Sequence, residues 1–558
     1  MTALTSAAIE QFEELIRHEV EDKEIPSISY ALVDQGGLLA QGHVQRHDLS
    51  FDMRDDTCFR IGSITKTFTA VAIMQLAEQG LVDLDVDVSE YLPGFQPLNP
   101  FKGRESGPYG SQISLRKLMS HTAGIVREPK SGHYLDSNRP PLAETVAELA
   151  TSTLKQDPSA GVMHYSNAGI AVVGMVLEKV TEKSYSEYVT ENILTPLGMH
   201  STSSGMAPGI RERLAPANMW TLDGDSPAPV FNLGGSPAGN IFSTTGDMAK
   251  YAQCLLRGGF APDGRSIVSP GSLREMWTAV GKRPAGQGVA LNGYGLCFGV
   301  GEVDGWASVG HGGAVYGYAS QMILLPTAGI GVLIFATLDF ANQIASRLGA
   351  DGLRIVLAER NMGQRLPRLQ NSPPVTEDQM KHLPGHYRDE GTGEIVEVKE
   401  KAGKLYLMGE GVPLQIKPVS GSDFVIDGRI YGRGADYPHM NLSFPQLGTM
   451  TWKGADWNRI ETLPAEKVPP EIAPHLGEYG PDFNITYLQY SHGQLRCLIE
   501  YFCTHVCEPV DAGRFRMHGL LYEEEILELD ATDDQGRKGI RVGPMFLVRR
   551  PYQPGATQ

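Results

Sequence analysis

Cysteine is scarce in this chain: Cys58, Cys254, Cys297, Cys497, Cys503 and Cys507 are the only six in 558 residues. Scattered over such a length they make no disulfide framework, and they read as reduced thiols. Positive charge is also in deficit. Lys and Arg number 48 against 65 Asp and Glu, a formal net charge of −17, which argues against broad nucleic-acid binding and against adsorption to anionic membranes. Long apolar runs are missing too. The longest, such as Val332-Leu333-Ile334-Phe335-Ala336, fall far short of the ~20 residues that span a bilayer, so no membrane span is expected. The N-terminus lacks a basic segment followed by an apolar core, so it is not a secretion signal. Met1 to Ile16 reads instead as an amphipathic helix capped near Thr5 or Ser6, and the expected compartment is the cytoplasm.

What is present is a globular composition, 41% hydrophobic and 20% charged. The length is too great for one ordinary core and suggests about two or three domains. Ser27–Asp34 and Leu38–Val44 alternate as strands around a turn at Gln35-Gly36-Gly37. Then comes Phe59-Arg60-Ile61-Gly62-Ser63-Ile64-Thr65-Lys66-Thr67-Phe68, the start of a helix that is apolar around most of its circumference until Gly80. Such a helix belongs in a domain centre, with only its N-terminal end reaching a cleft. Ser63 and Lys66 lie one helical turn apart. An alkoxide-like nucleophile needs a neighbour that takes its proton, a role open to a lysine when its surroundings disfavour the charged form. The same spacing recurs at Ser114…Lys117, where Ser114 reads as a helix N-cap, and at Ser152…Lys155, in a polar segment. Neither has a buried helix behind it.

Downstream, Gly161–Asn167 is a polar loop leading into a helix over Ala168–Lys183, and it places Tyr165 and Asn167 two residues apart beside a helix start. His311-Gly312-Gly313-Ala314 sits in a strand-like run from Val309 to Leu325. Glycines there provide for close backbone approach, either by substrate or by a bulge. Gly331–Leu338 follows as a neighbouring strand and Asn342–Glu359 as a closing helix. Short turns between the strands imply an antiparallel sheet.

Gly363–Val375 is a Pro-rich linker, after which the sequence becomes strand-rich. Gly385, Gly403 and Phe424 are spaced by 18 and 39 residues from the first glycine, and Gly477, Gly493 and Phe515 by 16 and 38. This points to a duplicated domain, each copy a small antiparallel β-barrel, with a second linker at Pro464–Ile472. Cys503, His505 and Cys507 alternate on one strand face. No further ligand with metal-site spacing lies nearby, so neither a metal nor a cofactor is expected.

Ser63-x-x-Lys66, Tyr165-x-Asn167 and His311-Gly312-Gly313 occur in order, with Leu118-Met-Ser-His-Thr-Ala-Gly124 between them. In this the chain resembles the serine β-lactamase and penicillin-recognising enzyme superfamily, in the branch of class C β-lactamases, D-alanyl-D-alanine carboxypeptidases, D-aminopeptidases and related esterases. The resemblance covers roughly residues 5–360. It implies an α+β catalytic domain over 1–362, and the repeats after it place barrels at 376–463 and 472–553. It further implies acylation of Ser63, proton transfer by Lys66 and Tyr165, substrate binding by Asn167, and an oxyanion hole from the backbone N–H groups of Ser63 and Ala314 beside Gly312 and Gly313. The third motif usually begins with lysine in the β-lactamases and carboxypeptidases of this branch. Here it begins with His311, mostly neutral at pH 7, which weakens selection for a substrate carboxylate. His-Gly-Gly and two trailing barrels are similar to D-aminopeptidases, in which a barrel loop restricts access to the site. The implied activity is a peptidase or amidase acting on short or D-residue-containing peptides. The alternative is a carboxylesterase or weak β-lactamase using the same residues. The expected partner is a small peptide, amide or ester; a homo-oligomer is not indicated by the sequence.

Overall fold

A computed structural model of the chain describes residues 4–101, 112–136, 139–221, 224–233, 236–281, 291–367, 372–409, 412–427, 441–463, 467–491, 493–500, 503–518, 522 and 525–551. The expected linkers fall partly on residues 368–371 and 464–466, outside the described set, as does the side chain of Cys503. The chain divides into two compact units, Met1–Pro367 and Arg368–Gln558.

The first unit opens with helix α1 (Ser6–Asp22), capped by Thr5, whose side chain accepts from the Ala8 N–H. Its buried residues Phe12, Ile16 and Val20 recur every four positions, one stripe of an amphipathic helix. Strands β1 (Ser27–Asp34) and β2 (Gly37–Gln45) form the expected hairpin. Helix α2 (Thr65–Glu78) is buried at every position from Thr65 to Leu76. Gly80, at φ +70°, ends it. That complete burial fixes the helix in the core and leaves its N-terminal turn as the end that meets the cleft. Helix α3 (Asn167–Thr181) is capped by Ser166.

Strands β3 (Leu291–Tyr294), β4 (Gly299–Val303), β5 (Trp306–Val315), β6 (Tyr318–Leu325) and β7 (Ile330–Ala336) complete a seven-stranded sheet of order β2-β1-β7-β6-β5-β4-β3. All its pairings are antiparallel. The run from Val309 to Leu325, which alternates like a single strand, is two strands. Tyr316 (φ +29°) and Gly317 (φ +80°) turn the chain back on itself, and Ala314 faces Ala319 across the hairpin. Strand β5 is therefore internal to the sheet. Helix α4 (Asn342–Glu359) packs on β6 and β7 and against α1.

In the second unit, eight strands from Gly385–Asp389 to Ala455–Ile460 form a closed antiparallel barrel around Tyr387, Leu405, Leu407, Met450, Trp452 and Trp457. A second run of eight antiparallel strands, Gly477–Tyr479 to Met545–Val548, is ordered along the sequence, and a bridge from Tyr479 to Arg549 brings its two ends together. The two repeat in detail. Tyr387 and Tyr479 each donate to the carbonyl four residues back, at 2.8 and 2.6 Å. Arg459 clasps the carbonyls of His382 and Pro384, and Arg549 those of Pro474 and Leu476.

Candidate active site

The strand Phe59–Arg60 leads into a 3-10 turn, Gly62–Ile64, that runs directly into α2. Ser63 thus sits just ahead of the α-helix rather than inside it. Gly62 has φ +51°, and a Cβ there would lie 2.8 Å from the Ala314 nitrogen. The turn that carries Ser63 therefore presses against β5. At Gly313 a Cβ would stand 2.1 Å from the Ile61 carbonyl oxygen, so what makes glycine necessary at that position is the protein's own backbone. Ser320 Oγ donates to the same Ile61 carbonyl at 2.9 Å. Gly312 faces the Gln321 side chain.

Lys66 is fully buried. Its Nζ donates to Ser63 Oγ at 2.8 Å, to Asn167 Oδ1 at 2.8 Å and to the Ala238 carbonyl at 2.7 Å, which uses all three donors of an ammonium group. The Tyr165 hydroxyl donates to Ser63 Oγ at 3.0 Å, and Lys66 Nζ lies 5.0 Å from the centre of the Tyr165 ring. Ser63, Lys66, Tyr165 and Asn167, separated by about a hundred residues of chain, thus form one hydrogen-bonded cluster. Both Lys66 and Tyr165 donate to Ser63 Oγ, so either becomes a proton acceptor for Ser63 only after giving up its own proton, and no heavy atom need move for that.

His311 is half-buried on β5. Its Nε2 pairs with the Tyr294 hydroxyl at 2.8 Å and its Nδ1 with the Gly312 carbonyl at 2.5 Å. Burial, with the Lys66 charge as a second cause, pulls its pKa down to about 3. His311 is therefore neutral, and the position offers no fixed positive charge.

Three further side chains belong to the cluster. Glu128, buried, accepts from Asn167 Nδ2 at 2.6 Å through Oε1, and burial raises its pKa above the usual 4.5. Arg127 Nε stands 3.9 Å from the same Oε1. His121, at φ +58°, accepts from the Ser166 N–H at 3.2 Å through Nδ1, and its ring lies 4.2 Å from that of Tyr165. Burial, then the Lys66 charge, holds its pKa well below 6.5. Tyr294 supplies the partner of His311. The motif spacings identify none of these roles. Glu128 lies four residues beyond the Leu118–Gly124 phrase and shares no periodicity with Ser63, while Ala238 contributes only a carbonyl.

The cleft at Ser63 has a volume of about 60 Å³ and is lined by Glu128, Asn167, Ala171, Leu233 and Ala314, among others. A larger hollow of about 600 Å³ lies near the opposite end of α2, among Glu78, Asp83, Asp85, Arg116 and Glu275. It contains none of the motif residues. The smaller cleft is the one lined by Ser63 and Asn167, two members of the hydrogen-bonded cluster.

A family model described as Beta-lactamase matches residues 12–353. Penicillin-binding protein 4 of Amycolatopsis lactamdurans is 29% identical over 379 residues, 66% of this chain and 95% of that protein. The protein flp of Staphylococcus aureus (strain N315) is 26% identical, and the match spans 61% of this chain and 65% of flp's own length. Among solved structures, the octameric penicillin-binding protein homologue from Pyrococcus abyssi has a TM-score of 0.55 at 19% identity, covering 89% of this chain and 99% of that one. The D-amino acid amidase from Ochrobactrum anthropi SV3 has a TM-score of 0.54 at 24% identity, covering 64% of this chain and all of that one. At these identities the likeness to the two structures is one of fold.

Proposed function

As the chain belongs to the beta-lactamase family, we propose that it is a serine hydrolase that forms an acyl-enzyme at Ser63, a peptidase or amidase on short or D-residue-containing peptides with a free amino end. Ser63 Oγ attacks the substrate carbonyl as its proton passes to Lys66 in the neutral amine form or to Tyr165 in the phenolate form, whichever of the two has first given up its own proton. The backbone N–H groups of Ser63 and Ala314 hold the oxyanion. The leaving amine takes the proton back through Tyr165, and water then releases the acyl group by the same route in reverse.

The observation that carries the substrate class is Glu128. A buried carboxyl group in the cleft of Ser63, engaged by Asn167 and with Arg127 3.9 Å away, both through Oε1, suits a substrate ammonium group at its other oxygen. Neutral His311, tied to Tyr294 and the Gly312 carbonyl, gives no matching attraction for a carboxylate. The name of the Ochrobactrum amidase agrees with this reading. A carboxylesterase is the second reading, favoured by the small apolar side chains Ala168, Ala171 and Ala238 in the cleft, which suit a plain acyl chain equally well.

Turnover of D- and L-aminoacyl anilides, short-chain nitrophenyl esters and a chromogenic cephalosporin, with Ser63→Ala as control, separates the readings. Aminoacyl anilide turnover that requires the free amine supports the amidase. Ester turnover with no amide turnover supports the esterase. Fast cephalosporin turnover contradicts the argument from His311.

A further inference from the structure

One residue lining the cleft has a brace behind it. Tyr134 lines the cleft beside Val315. Its ring stacks on that of Tyr316 with centroids 4.4 Å apart and planes 15° from parallel. The Tyr316 N–H donates to the Tyr134 hydroxyl at 3.0 Å, and the Tyr316 hydroxyl donates to the Tyr134 carbonyl. Two tyrosines from distant parts of the chain are thus joined by both rings and both hydroxyls. Tyr134 is also fixed from its own side. Ser131 binds Glu148 through its N–H and hydroxyl at 3.1 and 2.6 Å, and the Gly132 N–H binds Asp136 at 2.8 Å.

Tyr316 is fully buried, with Phe231 4.8 Å away centroid to centroid. The guanidinium of Arg60 lies 5.3 Å from Tyr316, 5.4 Å from Phe242 and 5.9 Å from Phe231. Arg60 is 1% exposed, and none of its three side-chain nitrogens has a hydrogen-bond partner among the described residues. A buried cation held only by aromatic faces gains little in stability for its cost, unless it keeps those rings in place. Arg139, 3.7 Å from Phe231, loads the same ring.

We propose that the Tyr134–Tyr316 stack, braced by Arg60, is a specificity wall that limits the acyl part of the substrate to about one amino-acid-sized unit and so makes the enzyme exo-acting. The cleft volume of about 60 Å³ holds roughly four to six non-hydrogen atoms, at ~10–15 Å³ each on the scale used for buried water. That is room for about one small side chain in the enclosed part of the cleft, whose remainder opens to solvent. This rests on the acyl-enzyme reading, but not on Glu128, since the wall acts on any acyl group.

The test is kcat/KM on nitrophenyl acetate, butyrate, octanoate and laurate for wild type, Tyr134→Ala and Tyr134→Phe, with the affinity of n-alkylboronic acids of matching lengths for the wild type. Wild type is expected to lose at least about tenfold between butyrate and octanoate, a usual penalty for an acyl group that overfills a pocket. Tyr134→Phe, which keeps the ring, retains the loss, and Tyr134→Ala removes it. Boronate affinity falls at the same length without any variant, so an unfolded Tyr134→Ala does not spare the proposal. Turnover or boronate binding that is indifferent to chain length, or an unchanged length profile in a folded Tyr134→Ala, overturns the wall alone. No turnover and no boronate binding at any length overturns the acyl-enzyme reading, and the wall with it.

Discussion

Glu128 decides which end of the Asn167 amide faces Lys66. Its Oε1 accepts from Nδ2 at 2.6 Å, which leaves Oδ1 to accept from Lys66 Nζ at 2.8 Å. A carboxylate accepts but cannot donate, so the amide has one orientation. Glu128→Gln keeps an acceptor and removes the charge. It should raise KM for aminoacyl anilides by roughly 10- to 100-fold, the worth of a hydrogen bond to a charged group, with little change on esters that lack an amine. Glu128→Ala frees the amide and should lower kcat on both classes. Equal losses on both classes for Glu128→Gln would count against ammonium recognition.

The neutral His311 offers a gain-of-function test. His311→Lys brings a charge to β5, where Tyr294 now bonds the imidazole at 2.8 Å. Substrates with a free carboxylate next to the leaving group should improve about tenfold or more in kcat/KM, while aminoacyl anilides do not improve. A steady-state comparison of a cephalosporin with an aminoacyl anilide reads this out, and no selective gain would mean that position 311 does not face the substrate carboxylate.

His121 positions Tyr165 by ring contact and through the Ser166 N–H. Its φ of +58° disfavours alanine, so His121→Ala combines backbone strain with a lost acceptor. It should cost about 2–4 kcal/mol in denaturant unfolding. His121→Asn, which tolerates that backbone and offers an oxygen to Ser166, should recover most of the stability and of kcat. If Asn is no better than Ala, the contact with Ser166 is not what His121 supplies.

Much of this site can be read in the sequence because Ser63 and Lys66 meet within one helical turn, a local relation that spacing reports. Tyr165, Asn167 and His311 can be read only as motifs in order. Tyr134, Tyr316 and Arg60 cannot, because rings stacked across 182 positions of chain leave no periodicity. The β5–β6 hairpin is hidden for a related reason: Tyr316 carries a positive φ where turns usually place Gly or Asn, so alternation reads through it. The repeat of the two barrels is visible in Gly385-x-Tyr387 and Gly477-x-Tyr479. The arginines that clasp each Gly turn, Arg459 and Arg549, come from the far end of each repeat and are not.

Stability should fall on mild acidification. Burial holds His133 and His164 at about 4, His311 at about 3 and His121 well below 6.5, whereas an unfolded histidine titrates near 6.5. The unfolded chain therefore binds more protons through this window. The contribution of these groups is complete above about pH 6.5 and is lost progressively as pH falls from there toward about 4. Glu128, raised by burial, acts in the opposite sense. The melting temperature should be nearly level between about pH 7 and 8 and drop steadily below about 6.5. A melting temperature that rises on acidification to about pH 5 would show that these histidines are not buried neutral.

The central claim is that Ser63 is a nucleophile activated by Lys66 and Tyr165. It is tested most directly by intact-mass and peptide mass spectrometry after exposure to a fluorophosphonate, on wild type, Ser63→Ala and Lys66→Ala. The expected result is one adduct on the Ser63 peptide of wild type, none on Ser63→Ala, and labelling slowed by on the order of 10³-fold or more in Lys66→Ala, as for loss of the base beside a serine nucleophile. An unlabelled wild type, or an adduct on any other residue, would contradict it.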